Sequence, residues 1–425
     1  MNKGSIKHVL WLVAGLGLLI LAVGCAASVA SGEVKSDKER LEVTATEEET
    51  AELVAGNSAF AFDLYQQLKG NDSNLFYSPY SISMALAMTY AGARSGTEAE
   101  MADTLHFEQP QPLLHPTFNA LDTTLNTYGQ GDDDFQLNVA NAIWGQEGYE
   151  FLPEFLDLLA EQYGAGLRTL DFGEDPEGAA EIINNWVSDK TEGKIEDLIS
   201  PGLLNSSVRL VLTNAIYFNG KWLFQFEEDV TRDEPFTLLD GSQETVRMMS
   251  QTEPFLYTEG DGYQAVSLPY QGAPISMLFI LPAEGRFTEI EETFSTELLD
   301  EIERGFATQM VELSVPKFTF ESEFNLSETL AEMGMPSAFS GEADFSGMTG
   351  ARDLFISDVV HKAFVAVDEE GTEAAAATAV IMAEMAAAPI DDKVIMKLDR
   401  PFLFLIRDNE TGTVLFAGRL VNPDS

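Results

Sequence analysis

The chain has 425 residues, enough for one large domain or for two or three smaller ones. Apolar residues make up 45% and aromatics 10%, which excludes global disorder. Seventy acidic against 24 basic residues give a formal charge of −46, which repels phosphate backbones and anionic headgroups and excludes DNA and RNA as partners.

The first residues read as an export signal. Lys3 and Lys7 precede an uncharged apolar run from Val9 to Val23, too short for a comfortable membrane span. The end of this run, LAVGC, resembles a bacterial lipobox with Cys25 as the residue to be lipidated. Ala22 stands where a larger aliphatic residue is usual, so a plain signal peptide or an anchor helix stays open. Cys25 is the only cysteine, and no intrachain disulfide is possible. Residues 26–50 are small, polar and charged, which predicts a flexible tether. The expected organisation is a signal over 1–24, a tether over 25–50 and one folded domain over 51–425.

In the folded part, Leu53, Phe60, Leu64 and Leu68 predict a helix over 51–69. NLFYSPYSISMALAMTYAGA predicts a short strand, then an apolar helix after Pro79. Further helices are expected over 98–105 and 152–164, and after Pro176. The texture then changes. VRLVLTNAIYF (208–218) is a β-branched and aromatic run that predicts a strand buried on both faces. Strands are expected over 263–270, 275–281, 310–320, 354–367, 394–397, 401–407 and 414–421, with one helix over 325–333. Helices early and strands late predict an α+β fold in a single large domain.

Residues 369–389 read EEGTEAAAATAVIMAEMAAAP. Propensity alone makes this a helix. Gly371 and Pro389 break it at both ends, and its neighbours read as strands.

Catalytic chemistry is hard to find. Beyond the targeting segment the histidines are His106, His115 and His361. There is no GxSxG elbow, HExxH, CxxC pair or EF-hand loop. His361 lies in the alternating apolar stretch DVVHKAFVAVDE, where a hydrogen-bonded core histidine is expected ahead of a catalytic one. These absences favour a binding, inhibitory or structural protein over an enzyme, with no cofactor and no metal expected.

Several blocks together resemble the serpins: NLFYSPYSI, LVLTNAIYFNGKWLFQFE, VELSVPKFTFESEFNLSETLAEMGM with the later ADFSGM, HKAFVAVDEEGTEAAAAT, and RPFLFLIRDNETGTVLFAGRLVNP. They run in the family's order from about Asn74 to Pro423. The resemblance implies a single domain with three β-sheets and about nine helices, carrying an exposed reactive-centre loop. A serine protease cleaves that loop and becomes acylated. The loop's N-terminal arm then enters the main sheet as a new central strand, and the attached enzyme is trapped.

Residue by residue, the resemblance places the hinge at Glu369, Glu370, Gly371, Thr372, Glu373, Ala374, Ala375, Ala376, Ala377 and Thr378. An arm that must slip between two strands needs small side chains. Alternation puts Thr372, Ala374, Ala376 and Thr378 on one face. Gly371 is expected to serve as the hinge through its freedom of backbone angle. Glu369, Lys317 and Trp222 match the positions where the sheet first opens. Ser78, Ser81, Asn214 and His361 match a buried polar cluster that controls strand separation. The bait residue lies 16 positions after Glu369, giving a Met385–Ala386 cut, with Met382 as the alternative. Methionine there implies proteases with apolar pockets: elastase-, chymotrypsin- or subtilisin-like. A monomer is expected, exported and touching membrane only through a lipid on Cys25. The competing reading is a non-inhibitory binder or chaperone on the same fold. The hinge argues against it, because it lacks bulky, charged or proline residues over Ala374–Thr378.

Overall fold

The structure, a computed structural model, describes residues 32–70, 73–128, 135–372 and 393–423. The chain opens with a short strand, β1 (Gly32–Val34), and a long helix, α1 (Glu47–Leu68). Strand β2 (Leu75–Tyr77) leads into α2 (Pro79–Tyr90), α3 (Ser95–Leu105) and α4 (Gln111–Thr127). Next come β3 (Phe135–Gln146), α5 (Pro153–Tyr163), β4 (Leu167–Leu170), α6 (Pro176–Lys190) and β5 (Leu210–Lys221). Strands then dominate, with β6 (Arg232–Thr237), β7 (Gln243–Gly260), β8 (Tyr263–Pro269) and β9 (Ile275–Pro282). Helices α7 (Phe287–Glu292) and α8 (Thr296–Gly305) precede β10 (Ala307–Pro316) and β11 (Phe318–Asn325). After α9 (Ser327–Met333) and α10 (Ser346–Thr349) come β12 (Ile356–Val367), β13 (Gly371–Thr372), β14 (Val394–Lys397), β15 (Phe402–Asp408) and β16 (Val414–Leu420).

The strands form two hydrogen-bonded sheets among the described residues. One runs β1-β4-β3-β5-β13-β12-β11; the other runs β14-β10-β7-β8-β9-β15-β16-β2, with β6 beside β7. The resemblance implies three sheets, and the difference lies in β7. This 18-residue strand pairs with β6 over 243–248, with β10 over 248–257 and with β8 over 256–260, so one strand joins what would be two sheets.

Local chemistry sets the element ends. Helix α1 starts at Glu47, ahead of the expected Ala51, because Thr46 and Glu49 form a reciprocal capping box. Ser78 caps α2, Pro79 occupies its first turn, and all twelve of its residues are buried. That helix packs against β3 and β5 of the first sheet and β16 of the second, which places it between them. Phe76 stacks at 4.9 Å on Phe416 and at 5.8 Å on Phe404, and burying such side chains stabilises by about 1.5–3 kcal/mol each. Two expectations miss. Helix α4 hides behind Pro112 and Pro116 in the sequence, yet Leu114, Phe118, Leu121 and Leu125 bury one helical face. The single strand expected over 310–320 is two strands, β10 and β11, broken at Lys317.

The tether expectation fails for residues 32–50. Strand β1 pairs antiparallel with β4, Gly32 opposite Thr169 and Val34 opposite Leu167. Leu41 N–H then donates to the Glu161 carbonyl at 2.8 Å. A polar composition reads as flexible when its partners lie far along the chain and are invisible to local reasoning.

Candidate functional site: a split in the first sheet

Strands β5 and β12 are parallel neighbours from Leu210/Ile356 to Ile216/Ala363. Beyond that point they part. β13 lies between their ends, Gly371 opposite Lys221, and Thr372 opposite both Gly220 of β5 and Val367 of β12. The start of the predicted hinge is therefore already a short central strand.

A tight turn delivers it. Asp368 Oδ1 accepts from the Glu370 and Gly371 N–H groups at 2.9 and 3.2 Å, and Asp368 N–H donates to the Gly371 carbonyl at 2.9 Å. The Glu370 and Glu369 carbonyls accept from Trp222 and Phe226 N–H, each at 2.9 Å. Trp222 Nε1 donates to the Asp368 carbonyl at 3.0 Å. The indole stacks on Tyr270 at 4.6 Å, and the Tyr270 hydroxyl bonds Thr372 Oγ1 at 2.6 Å. Thr372 is 1% exposed.

Gly371 needs correction. It is absent from the left-handed backbone region, so angular freedom is not its role. Its role is space. A Cβ there would lie 2.1 Å from the Gly220 carbonyl oxygen and 2.8 Å from Lys221 Cα, so only glycine lets the two backbones meet.

The Glu369 carboxylate is buried and accepts from Lys317 Nζ and, at 2.8 Å, from Thr231 Oγ1. Burial alone would raise its pKa. The hydrogen bonds from Lys317 and Thr231 outweigh that and hold it below the usual carboxylate range.

Lower in the same sheet the two strands are held shut by neutral polar groups. Asn141 of β3, Asn214 of β5 and His361 of β12 stand side by side in register. Ser78 and Ser81 come up from the first turn of α2. Ser78 N–H donates to His361 Nε2 at 3.2 Å, and His361 Nδ1 donates to Asn214 Oδ1. Asn214 Nδ2 donates to Ser81 Oγ at 2.6 Å, and Ser81 Oγ donates to Asn141 Oδ1 at 3.1 Å. Ser78, Ser81, Asn214 and His361 have no exposed surface. Accepting at Nε2 keeps His361 neutral, and burial pushes its pKa down to about 3 against the modest opposing effect of Asn214. Both nitrogens of the ring are engaged within the fold. The ring ties β12 to β5 and to the helix beneath.

The structure thus brings Glu369, Lys317, Trp222, Gly371 and Thr372 together at one end of the strand pair. It gathers Ser78, Ser81, Asn214 and His361 near the middle. Glu370 lies in the turn with its carbonyl bound to Trp222. Glu373, Ala374, Ala375, Ala376, Ala377, Thr378, Met382, Met385, Ala386 and Cys25 lie outside the described residues. Sequence reasoning missed Tyr270, Thr231, Asn141, Asp368 and Gly220. Gly220 and Asp368 sit within quoted blocks; the others are ordinary residues whose roles come from distant partners. Among the described residues no cluster of acidic, histidine or cysteine side chains could hold a metal, and no helix is long and apolar enough to cross a membrane.

Comparison with known proteins gives one family. The profile described as Serpin (serine protease inhibitor) matches residues 55–423. The leukocyte elastase inhibitor of Bos taurus is 42% identical over 383 residues, covering 88% of this chain and 100% of its own. An uncharacterized serpin-like protein of Thermococcus kodakarensis is 42% identical over 371 residues, covering 87% and 86%. Among solved structures, the thermophilic serpin tengpin in its native state superposes with a TM-score of 0.83 at 28% identity, covering 93% of this chain and 100% of its own. Human thyroxine-binding globulin bound to its hormone superposes at 0.79 with 31% identity, covering 88% and 99%.

Proposed function

The chain belongs to the serpin family of serine protease inhibitors, and we propose that it traps serine proteases through the loop that follows β13. The observation that carries this is the two-residue strand Gly371–Thr372 already seated between β5 and β12. From Gly371 to Thr372 the strand β13 runs toward the stretch where the same two strands pair directly. A protease that cuts the loop frees its N-terminal arm to continue into a gap between them. The four alanines after Glu373 have the size the gap admits. Each inserted residue gains ladder hydrogen bonds to two neighbours, worth about 0.5–1.5 kcal/mol net per bond. From Thr372 to Met385 is thirteen steps, and a strand that long spans on the order of 45 Å at about 3.3 Å per residue. That carries an acylated protease the length of the sheet. The Ser78–Ser81–Asn214–His361 cluster sets how readily the gap opens.

Met385 is the bait residue in this reading, with Met382 as the alternative, and the targets are elastase-, chymotrypsin- or subtilisin-like enzymes. The identity of 42% and 41% to two leukocyte elastase inhibitors supports that class. The protein acts as a monomer, exported by its N-terminal signal and held at the cell envelope by a lipid on Cys25; Cys25→Ser would then release it into the medium.

The decisive experiment is a panel of elastase, chymotrypsin and subtilisin, read by SDS gel and by mass spectrometry of the cut loop. We expect a complex that survives SDS and a cut after Met385. Clean cleavage without complex for every enzyme would falsify the inhibitory reading and favour a binding protein, as in the thyroxine-binding relative.

A further inference from the structure

We propose that Gly32–Leu41 is a built-in brace on the opening of the first sheet, with Arg40 as its positioning residue. Its consequence for activity rests on the inhibitory reading; the coupling itself does not.

The brace begins as β1 on the outer edge of β4, the first strand of the half-sheet β1-β4-β3-β5. It then crosses onto the helices. Ser36 Oγ donates to Asp157 of α5, and Lys38 Nζ reaches Glu161 at 2.9 Å and Asp157 at 3.9 Å. Arg40 Nε donates to Asn119 Oδ1 at 2.7 Å, and its Nη2 meets Asp122 at 2.7 Å, both on α4. Asn119 is fully buried and returns a bond from Nδ2 to the Leu41 carbonyl at 2.9 Å.

Asp122 also accepts from the Tyr80 hydroxyl at 3.2 Å. Tyr80 is 1% exposed and sits in the first turn of α2, between Ser78 and Ser81 of the polar cluster. Hydrogen bonds and an ion pair therefore link Arg40 through Asp122 to Tyr80, and the backbone of α2 links Tyr80 to the cluster that holds β5 to β12. To admit more of the loop, β5 must leave β12, and its half-sheet must slide over α2. The brace ties the outer strand of that half to α4, and through Asp122 and Tyr80 to α2 itself. It opposes the slide.

The contact is ionic more than packed. A cavity of about 500 Å³ lies between the brace and the end of α5. Salt screens such pairs, so the brace is releasable. Its value to an inhibitor is restraint while the loop is uncut. A brace that keeps β5 on β12 slows any opening of the gap before the loop is cut.

The test compares the full chain with Arg40→Ala, Arg40→Lys and Lys38→Ala by amide exchange, and by the half-life of protease trapping at raised temperature. Arg40→Ala is expected to speed exchange of Thr213–Ile216 and Val360–Ala363 about tenfold and to shorten the half-life by a similar factor. Arg40→Lys should recover only part, because one ammonium cannot bond Asn119 and Asp122 as a fork. Arg247→Ala, which breaks the exposed pair with Asp233, should change neither. Lys38→Ala, and sodium chloride at about 1 M on the unmodified chain, should each speed exchange of the same two segments by a smaller factor than Arg40→Ala. Faster exchange confined to residues 32–41 would overturn the proposal and leave a mere surface attachment. If Arg40→Ala does not fold, Lys38→Ala and salt carry the same comparison. If the unmodified chain traps no protease, the inhibitory reading falls and exchange still decides the brace.

Discussion

The same two strands, β5 and β12, are apart at one end and zipped in the middle. At the open end the separator is the chain's own hinge, held by one ion pair, a stacked Trp222–Tyr270 pair and a hydroxyl bond. In the middle the closure is neutral, fully buried and shared among Asn214, His361, Ser78 and Ser81. On the proposed inhibitory reading, the open end extends one residue at a time. The closed middle yields only if several buried groups lose partners together, each costing about 1–3 kcal/mol. A barrier of that form suits a sheet that must wait for a cut and then open fully.

The largest effect is expected from Thr372→Arg. A guanidinium cannot occupy a site 1% exposed between two strands without a costly buried charge. The hinge should leave the sheet, and proteases should cut the loop with the SDS-stable complex almost abolished. A complex that persists in this variant would mean the seated hinge is irrelevant to trapping.

His361→Leu should come next. It strands Ser78 N–H and Asn214 Oδ1 in a dry site, for a loss of about 3 kcal/mol seen as a lower urea midpoint. It should also speed exchange in the middle of β5 and leave the open end unchanged. Equal acceleration at both ends would erase the contrast.

Acid should act on the middle through His361 and on helix α4 through His115. Burial lowers the pKa of His361 to about 3 and, aided by Arg94, that of His115 to about 4. An unfolded histidine titrates near 6.5, so both groups contribute stability that is complete above that pH and lost as pH falls toward the folded values. The slope between about pH 6 and 4 should approach 2.7 kcal/mol per unit, and His115→Gln should halve it. A flat urea midpoint from pH 7 to 4 would show that neither histidine is held neutral.

The smallest effect is expected from Tyr270→Phe. Stacking on Trp222 stays, the bond to Thr372 goes, and about 1 kcal/mol is lost. Exchange of the Gly371 and Thr372 amides should rise about fivefold. No change there would assign the docking to the backbone turn alone.

Much of this was legible in the sequence. The run VRLVLTNAIYF is as buried in β5 as its composition demands. The hinge was legible because Thr372 and the run Ala374–Thr378 after Gly371 are small. What failed is instructive. Gly371 reads as a flexible joint, yet its requirement is the 2.1 Å approach of another backbone, Gly220, some 150 positions earlier. Residues 32–41 read as solvent-borne tether because Lys38 and Arg40 meet acidic partners on helices more than 75 positions away. Tyr270 looks like any core aromatic until its hydroxyl is seen to have Thr372 as partner.

By itself the sequence determined the charge, the α+β texture and the five blocks that carry the family, all of which are local in the chain. Tertiary structure decided which of those residues meet. It set the hinge between β5 and β12, drew five polar groups from four elements into one cluster, and folded a polar segment onto the edge of the sheet. The reason is physical: hydrogen-bond satisfaction in a buried site depends on partners distant in sequence, and no local pattern encodes them.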